Sequence, residues 1–169
     1  MRVQHKIRPA LPGDLDRIWE IERASFGREA YDRKLFAYYL DKCGGLFLVA
    51  ARRPARDGRA EPRGKLCGYL IACLRGGRLA GSAELVSVAI EPEVRGRGAA
   101  SALLESALRR LARRGAERLN LVVRATNQPA RAFYEKYGFR RLRTVPGYYE
   151  DGGDGIAMWR PVRLPKASG

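Results

Sequence analysis

A glycine- and arginine-rich turn is the first segment whose residue types suggest a specific chemistry. Arg95-Gly96-Arg97-Gly98-Ala99-Ala100 follows an apolar, strand-like run and precedes a long helical pattern. Small residues let the backbone curl tightly and approach a ligand closely. The free N–H groups at the start of the helix would then converge on one spot, which suits a diphosphate. Arg95 and Arg97 can add charge-assisted hydrogen bonds to the same phosphates. On this segment alone, an ordinary tight turn remains the alternative.

The spacing of this turn disfavours two common nucleotide-binding motifs. The turn is not a G-x-G-x-x-G sequence followed by a second βαβ half, and the chain has no Gly-Lys-Ser/Thr sequence. Dinucleotide binding and nucleoside triphosphate binding are therefore both disfavoured.

The second suggestive segment is a short helical pattern that ends at Gly138-Phe139. Asn127 suits the N-cap of this helix, and Pro129 lies in its first turn, where the missing donor costs little. Tyr134 lies on the apolar face of the helix, so from the residues alone a core position is favoured. Its phenol is also protonated at neutral pH, because a tyrosine pKa is near 10, so it is chemically able to donate a proton.

Together the two segments resemble the GNAT superfamily of N-acetyltransferases. Arg95, Gly98 and Ala100 fit the family signature Q/R-x-x-G-x-G/A, whose turn holds the coenzyme A diphosphate. The spacing N-x-x-A-x-x-x-Y-x-x-x-G-F, which begins at Asn127, is similar to the coenzyme-side helix of these enzymes. The resemblance implies that Asn127 contacts the pantetheine arm and that Tyr134 protonates the leaving thiolate.

The resemblance also implies acetyl-CoA as cosubstrate, coenzyme A as product, and no metal. The strand before the turn, Glu84 to Ile90, resembles the fourth strand of the family, whose backbone pairs with the pantetheine arm. The implied coenzyme-binding residues are Val88, Ala89, Ile90, Arg95, Gly96, Arg97, Gly98, Ala99, Ala100, Asn127 and Tyr134.

Within the superfamily, the chain is most similar to ribosomal-protein-alanine N-acetyltransferases and archaeal N-terminal acetyltransferases. The similar segments are 18–26 (IWEIERASF), 119–127 (LNLVVRATN) and 147–154, which contains two adjacent tyrosines. This likeness implies a peptide or protein N-terminus as acceptor and the ribosome as a candidate partner. The implied substrate-binding residues are Phe26, Tyr31, Tyr148 and Tyr149.

Two features of segment 147–154 have a second interpretation. Tyr148 and Tyr149 could simply pack a hairpin rather than close over a substrate. The neighbouring carboxylates could attract a cationic amine or form a solvated loop; they are Glu150, Asp151 and Asp154.

One position departs from the pattern of these relatives. Bacterial ribosomal-protein acetyltransferases carry a glutamate on the fifth strand as general base, and Val122 stands there in this chain. Glu84 is the replacement candidate, because other GNAT enzymes use a fourth-strand glutamate that acts through water; a solvated strand-end charge is the alternative. The implied catalytic residues are therefore Tyr134 and Glu84. A weak base favours an α-amine, whose pKa near 7.7–8.0 leaves an appreciable neutral fraction, over a lysine with a pKa of about 10.4.

The formal net charge of +15 has several interpretations. Such a field attracts polyanions such as nucleic acid, ribosomes and cofactor phosphates, but arginine-rich composition also follows from genomic bias. A small-molecule amine is the alternative acceptor, although cationic amines would prefer an acidic protein. A non-catalytic module that binds the ribosome or RNA is the third hypothesis.

The elements that must position these residues predict one α/β (α+β) domain over residues 6–162, with flexible termini at 1–5 and 163–169. The order βααβββαβαββ predicts a mixed, mostly antiparallel, twisted sheet flanked by helices. The predicted strands are Lys6–Ala10, Leu46–Ala50, Leu66–Leu74, Leu85–Ile90, Leu119–Val123, Arg140–Val145 and Ile156–Val162. The predicted helices are Leu15–Ser25, Asp32–Leu40, a long helix from about Ala100 to Gly115, and Pro129–Tyr137. Arg52 to Lys65 is predicted to be a long, mobile hairpin tip, and Leu85–Ile90 a strand buried on both faces.

Composition and cysteine spacing complete the expectations. The cysteines are Cys43, Cys67 and Cys73, and an odd count without C-x-x-C spacing disfavours a disulfide framework or a zinc site. The even spacing of Cys67 and Cys73 predicts that both point into one face of a strand as small apolar residues. The sequence lacks a signal-peptide pattern and a run long enough to cross a bilayer, so a cytoplasmic protein with no membrane partner is expected.

Overall fold

The computed structural model describes residues 4–52 and 64–163, and its elements follow the predicted order. The strands are β1 (His5–Pro9), β2 (Phe47–Arg52), β3 (Leu66–Leu74), β4 (Ser82–Ile90), β5 (Arg118–Arg124), β6 (Arg140–Val145) and β7 (Gly155–Pro161). The helices are α1 (Leu15–Phe26), α2 (Arg33–Cys43), α3 (Ala99–Arg113) and α4 (Gln128–Lys136).

The strands form one seven-stranded sheet in the order β1-β2-β3-β4-β5-β7-β6. The pairs β1–β2, β2–β3, β5–β7 and β6–β7 are antiparallel, whereas β4 and β5 are parallel. A parallel pair needs a crossover connection, which α3 supplies here. The predicted class, an α/β domain with a mixed and mostly antiparallel sheet, is therefore confirmed.

The chain divides into two compact units. The first contains the described residues up to Cys73 together with Val86–Arg110. The second contains Leu74–Leu85 together with the described residues from Leu111 onwards.

The core of the first unit lies between its two N-terminal helices and one face of β2 and β3. Alternate strand residues point to the same face of a sheet, and here those residues are buried. This cluster contains Ile18 and Ile21 of α1, Phe36 of α2, Phe47, Val49 and Ala51 of β2, and Tyr69, Ile71 and Cys73 of β3.

The second unit shows a strict alternation along β5. Leu119, Leu121 and Val123 are buried, while the residues between them are only half-buried. Cross-strand partners in an antiparallel pair share a face, so Met158 and Ile156 of β7 extend this buried face. The opposite face of these strands is more open.

The predicted element bounds differ from the observed ones by a few residues. Helix α2 runs three residues beyond Leu40, because Gly44 is the first residue after the start of this helix with a positive φ, at 52°. Strand β4 begins at Ser82 rather than Leu85, since its first residues pair with β5. Strand β1 begins at His5, one residue before the predicted start at Lys6.

The cysteine expectations were wrong in two ways. Cys43 and Cys73 form a disulfide, because α2 and β3, which are distant in sequence, place their Cα atoms 4.9 Å apart. An odd number of cysteines excludes only the pairing of all of them, not a single disulfide. Cys67 and Cys73 do not share a face as spacing alone suggests. The β2–β3 register shifts so that Gly68 pairs with Ala50 and Leu66 with Ala51, which leaves Cys67 as the extra residue of a bulge.

The expectation that Leu85–Ile90 is buried on both faces was also wrong. Val86, Ser87 and Val88 are only half-buried, whereas Ala89 and Ile90 are buried. An apolar run does not report whether both faces are covered. The body of the predicted hairpin tip (53–63) and the outer parts of the predicted flexible termini (1–3 and 164–169) lie outside the described residues. In the ranges that are described, no helix is long and apolar enough to span a membrane.

Candidate active site

The turn between β4 and α3 has the backbone geometry that an anion site requires. Gly96 and Gly98 have φ values of 76° and 88°, in the left-handed region that glycine adopts without strain. The first helical hydrogen bond runs from the Ala102 N–H to the Gly98 carbonyl. The N–H groups of the first turn of α3 therefore have no acceptor inside the helix and are available to an anion.

The space beside these glycines is open. A Cβ atom built at Gly96 or Gly98 would have no protein atom within 4 Å, so the surrounding fold does not require glycine for lack of room. The turn thus combines a backbone conformation that favours glycine with unfilled space next to free amide groups. This combination fits a ligand that approaches the main chain closely.

The two arginines of the turn differ in their contacts. Arg95 donates from Nε to the Ile90 carbonyl at 3.1 Å and from Nη2 to the Ser25 hydroxyl at 3.3 Å. Its guanidinium therefore ties the turn to the end of α1, a role that sequence reasoning did not assign to it. Arg97 is exposed, and within the described ranges its side chain has no hydrogen-bond or ion-pair partner.

The end of α1 lies against the end of β4 in the first unit. The Ser25 hydroxyl is 3.5 Å from the Ile90 carbonyl, so Phe26, the next residue, lies near the predicted coenzyme strand. The Phe26 side chain is 40% exposed, although its helix is anchored in the core. Tyr31, beyond the same helix, is half-buried. These two predicted acceptor-side residues thus flank a fixed helix end.

A buried carboxylate beneath Tyr31 was not predicted. Glu22 is 1% exposed; it accepts hydrogen bonds from the Tyr31 N–H at 2.9 Å and from the Tyr69 hydroxyl. The Tyr69 hydroxyl is also 3.0 Å from the Ser87 hydroxyl on β4. A signal was available, because Glu22 follows Ile18 by four residues on the buried face of α1. Burial raises the pKa of Glu22, and its two hydrogen bonds oppose this only in part.

We expect Glu22→Gln to become more stable relative to the wild type as pH rises from 4 to 8. A raised folded-state pKa means that the contribution of Glu22 is fully present below its unfolded-state pKa and is lost as pH rises through the folded-state value. Each pKa unit of difference corresponds to about 1.4 kcal/mol, or about 3–6 °C in Tm for a domain of this size. Thermal melts across this pH range test the prediction, with Glu105→Gln, at an exposed position of α3, as charge control. A Tm difference that does not change with pH would contradict it.

In the second unit, α4 has the cap and terminus that its sequence predicts. The Asn127 side chain accepts a hydrogen bond from the Ala130 N–H at 3.2 Å, which confirms it as N-cap. Gly138, with a φ of 84°, follows the last turn. The side-chain oxygen of Asn127 is therefore committed to its helix, and its amide NH₂ group is the part available to a ligand.

Tyr134 has a buried ring, but its hydroxyl lacks the hydrogen bond that the hydroxyl of a core tyrosine normally makes. Its side chain packs against Phe133 and Phe139, with ring centroids 5.5 and 5.4 Å away. Only 8% of the residue is exposed, yet its hydroxyl has no hydrogen-bond partner among the described residues. The Tyr134 oxygen is not among the buried polar atoms that lack a partner in the described ranges, so it reaches accessible surface at the edge of a buried ring and can contact a ligand. Burial, and secondly the nearby Tyr149, raise the pKa of Tyr134, so the phenol remains protonated at neutral pH.

A second buried polar group supports α4 and was missed by sequence reasoning. Arg160 of β7 is 6% exposed and donates from Nη1 to the Tyr137 carbonyl at 2.6 Å. Cations are favourable at helix C-termini, because the last carbonyl groups lack helical donors. Nothing in the local sequence signals this contact, which joins two distant segments.

The turn between β6 and β7 is held by its own carboxylates. Asp151 contacts the Arg124 guanidinium at 2.8 Å, and Asp154 accepts a hydrogen bond from the Gly147 N–H at 3.0 Å. Two of the three acidic residues are therefore structural. The Arg124 guanidinium also lies 4.1 Å above the Tyr149 ring.

The adjacent tyrosines make different contacts. The rings of Tyr148 and Tyr149 meet edge to face with centroids 5.0 Å apart, and Tyr148 is 50% exposed. A Cβ atom built at Gly155 would lie 2.5 Å from Val122 Cγ1 and 3.2 Å from Tyr148 Cβ. Val122, at the position where the resemblance would place a general base, thus lies beside the same glycine as Tyr148, a predicted substrate-binding residue.

Glu84, the candidate base, lies on β4 opposite Asn120 of β5. Its carboxylate forms an ion pair with Arg75, and its side chain is 33% exposed. Any proton transfer to Glu84 must therefore compete with this contact.

Within the described ranges, no cluster of three or more histidine, cysteine, aspartate or glutamate residues could hold a metal ion. Cys67, the free cysteine, is buried, and burial raises the pKa of its thiol. A thiol of this kind is a poor nucleophile.

Comparison with known proteins identifies the family. A model of the acetyltransferase (GNAT) family matches residues 15–139. The chain is 34% identical over 157 residues to an N-alpha-acetyltransferase of Saccharolobus solfataricus, with 92% of each protein covered. The crystal structure of Ard1 from Thermoplasma volcanium superposes with a TM-score of 0.82 at 25% identity, covering 95% of this chain and 99% of that one.

The ribosomal-protein-S18-alanine N-acetyltransferase from Escherichia coli gives a TM-score of 0.74 at 27% identity, covering 98% of this chain and 99% of the other. The family match extends from α1 through the β4–α3 turn to the end of α4, and so includes both segments whose chemistry was derived above. The chain therefore belongs to the GNAT family of acetyltransferases.

Proposed function

We propose that this protein transfers the acetyl group of acetyl-CoA directly to the α-amino group of a protein or peptide N-terminus in the cytoplasm. The observation that favours an α-amine is that Val122, which lies beside Gly155 and Tyr148, is apolar and cannot act as a base. The similarity to an N-alpha-acetyltransferase over most of the chain supports the same choice. The likeness to an S18-alanine acetyltransferase makes ribosomal proteins one candidate acceptor group.

The β4–α3 turn fits the diphosphate of coenzyme A. Its free first-turn N–H groups, its two left-handed glycines and the open space beside them form the cradle that such a group needs. We assign the diphosphate to Gly96, Arg97, Gly98, Ala99 and Ala100, with Arg95 holding the turn in place. Val88, Ala89 and Ile90 would support the pantetheine arm through their backbone, together with Asn127. Acetyl-CoA supplies an activated thioester, so the protein has only to position the reactants and manage protons.

Tyr134 is the proposed proton donor to the leaving sulfur. Its hydroxyl carries a proton at neutral pH, and it has no other partner among the described residues. The same burial that raises the pKa of the phenol also disfavours an unprotonated thiolate, so desolvation alone does not oppose the transfer. The buried Cys67 with its raised pKa offers no covalent alternative, which supports direct transfer.

An α-amine needs little help from a base. With a pKa of about 7.7–8.0, an appreciable fraction of it is neutral at physiological pH, whereas about one lysine side chain in a thousand is neutral. Val122 cannot accept a proton, and Glu84 is already paired with Arg75. We propose Glu84 as a base that acts through water, with Phe26, Tyr31, Tyr148 and Tyr149 binding the acceptor.

A coupled thiol-release assay tests the choice of amine. We expect kcat/KM to be at least about 10-fold higher for peptides with a free N-terminus than for Nα-blocked peptides whose only amine is a lysine. Mass spectrometry would locate the added acetyl group. Faster acetylation of the lysine peptides, or of small amines in the same panel, would contradict the proposal.

A further inference from the structure

One face of the sheet in the second unit carries three arginines around a tryptophan. Cross-strand partners share a face, and Asn120 of β5, Trp159 of β7 and Arg140 of β6 form one row. Arg143 lies in the neighbouring row, and Arg118 lies two residues before Asn120 on the same face. We call the set Arg118, Arg140, Arg143, Asn120 and Trp159 the arginine face. Arg140 and Arg143 are exposed, and the other three are half-buried.

Arg118 is held in one orientation. Its Nε donates to the Asn120 Oδ1 at 2.8 Å, and its Cζ lies 4.3 Å from the centre of the Trp159 ring. Asn120 is fixed in turn, because its Nδ2 donates to the Ser82 hydroxyl at 2.8 Å. A guanidinium that is already ordered loses less conformational entropy when it binds an anion.

The positive charge of this face is not compensated. None of Arg118, Arg140 and Arg143 forms an ion pair with a carboxylate in the described part of the chain. Other arginines of the same unit do, since Arg75 pairs with Glu84 and Arg124 with Asp151. Glu84, which pairs with Asn120 in the β4–β5 register, is already bound by Arg75. The face is therefore suited to an external anion.

The arginine face adjoins the proposed acceptor side. Val122, Ala157 and Arg143 form one row across β5, β7 and β6. Neighbouring strands are about 4.8 Å apart, so Arg143 lies about 10 Å from Val122 on the same face. An extended peptide advances about 3.3 Å per residue, so one whose amino group lies near Val122 can reach Arg143 with about its third or fourth residue.

We propose that the arginine face binds acidic side chains at about the third to fifth residues of the acceptor, so that the protein prefers acidic N-terminal segments. This inference rests on the proposed function. Arginine pairs with carboxylates through parallel, charge-assisted hydrogen bonds. The three arginines span two strand spacings across the sheet and about 13 Å along it, a span that a short acidic stretch can cover.

An RNA strand suits this surface less well. Single-stranded nucleic acid sites stack bases on open aromatic rings, whereas one face of the Trp159 ring is covered by Arg118. Specific nucleic acid binders commonly neutralise about 6–10 phosphates, more than this small cluster can contact. A short peptide already held by its amino terminus needs only a few added contacts.

The test compares peptides that share their first two residues and carry three Glu, three Gln or three Lys at positions 3–5. An exposed ion pair changes affinity by about 1.4- to 5-fold, so two such contacts give about 2- to 25-fold. We expect kcat/KM of the wild type to be higher by this factor for the Glu peptide than for the Gln peptide, and lowest for the Lys peptide. Arg140→Gln/Arg143→Gln should lower the Glu-to-Gln ratio by this factor, to what Arg118 alone provides. Arg113→Gln/Arg114→Gln, at the exposed end of α3, removes the same charge elsewhere and should preserve the ratio.

The outcomes separate this inference from the function on which it rests. Equal kcat/KM for all peptides, or a Glu preference that is undiminished in Arg140→Gln/Arg143→Gln, overturns the inference alone. Strong inhibition by polyuridylate that this variant abolishes reassigns the face to nucleic acid and also overturns it. Failure to acetylate any peptide, with acetyl-CoA still bound, overturns the proposed function and the inference with it.

Discussion

We expect Tyr134→Phe to lower kcat by about 10²–10⁴-fold, the usual contribution of a positioned proton donor, while the fold is unaffected. The phenol oxygen has no hydrogen-bond partner among the described residues, so its removal leaves no buried group unsatisfied. The ring contacts with Phe133 and Phe139 would be kept. Turnover under saturating acetyl-CoA and peptide, with a thermal melt beside it, measures both effects.

Tyr137→Phe is the matched control for this substitution. Tyr137 immediately follows the same helix, packs on Phe133 with centroids 4.8 Å apart, and is only half-buried. Loss of its hydroxyl should leave kcat nearly unchanged, because no proton transfer is assigned to it. If Tyr134→Phe retained wild-type turnover, Tyr134 would be a packing residue and the donor would have to be sought elsewhere.

The local pattern of the sequence was sufficient for the element order. Helical spacing at Ile18 and Ile21, and the glycines at positions 44 and 138, predict where helices run and where they end, because each signal depends on neighbouring residues only. The predicted turn and α4 cap are likewise local, and the structure gives them the expected conformations. The fold class followed from this order.

Contacts between distant segments were not predictable in the same way. The Cys43–Cys73 disulfide depends on how α2 packs against β3, and the bulge at Cys67 depends on strand register. Arg160 contacts the end of α4 from β7, although 23 residues separate the two partners. Such contacts arise from tertiary packing, which spacing along the chain does not encode.

In the candidate site, too, local signals were predictable from the sequence and contacts between distant segments were not. Residue types predict that Arg95 binds phosphate, and the structure adds hydrogen bonds to Ile90 and Ser25 that the sequence did not predict. Glu22 lay on the buried face of a predicted helix, but its partners Tyr69 and Ser87 come from β3 and β4. Motifs predicted which groups carry chemistry, and only the structure identified the side chains that contact and hold these segments.

The proposed coenzyme site gives the second large expected effect. We expect Gly98→Val to weaken acetyl-CoA binding by about 100-fold or more, since the loss of two charge-assisted hydrogen bonds, at about 1.5–3 kcal/mol each, is sufficient. The valine side chain would occupy the open space beside the first-turn N–H groups. Calorimetry with acetyl-CoA, and the rise in Tm that a bound ligand produces, would both report the loss.

Gly115→Val is the control that separates the loss of acetyl-CoA binding from the effect of backbone strain on stability. Gly115 follows the other end of α3 with a φ of 79°, close to the 88° of Gly98, and it also has no atom within 4 Å of a built Cβ. Both substitutions should therefore lower the free energy of unfolding by a similar amount, about 1–3 kcal/mol for a non-glycine residue held in this region. Only Gly98→Val should abolish the acetyl-CoA-dependent rise in Tm, because only that glycine lies beside amide groups without helical acceptors. Equal retention of the rise in both variants would show that the diphosphate binds elsewhere, and the coenzyme assignment of the turn would fail.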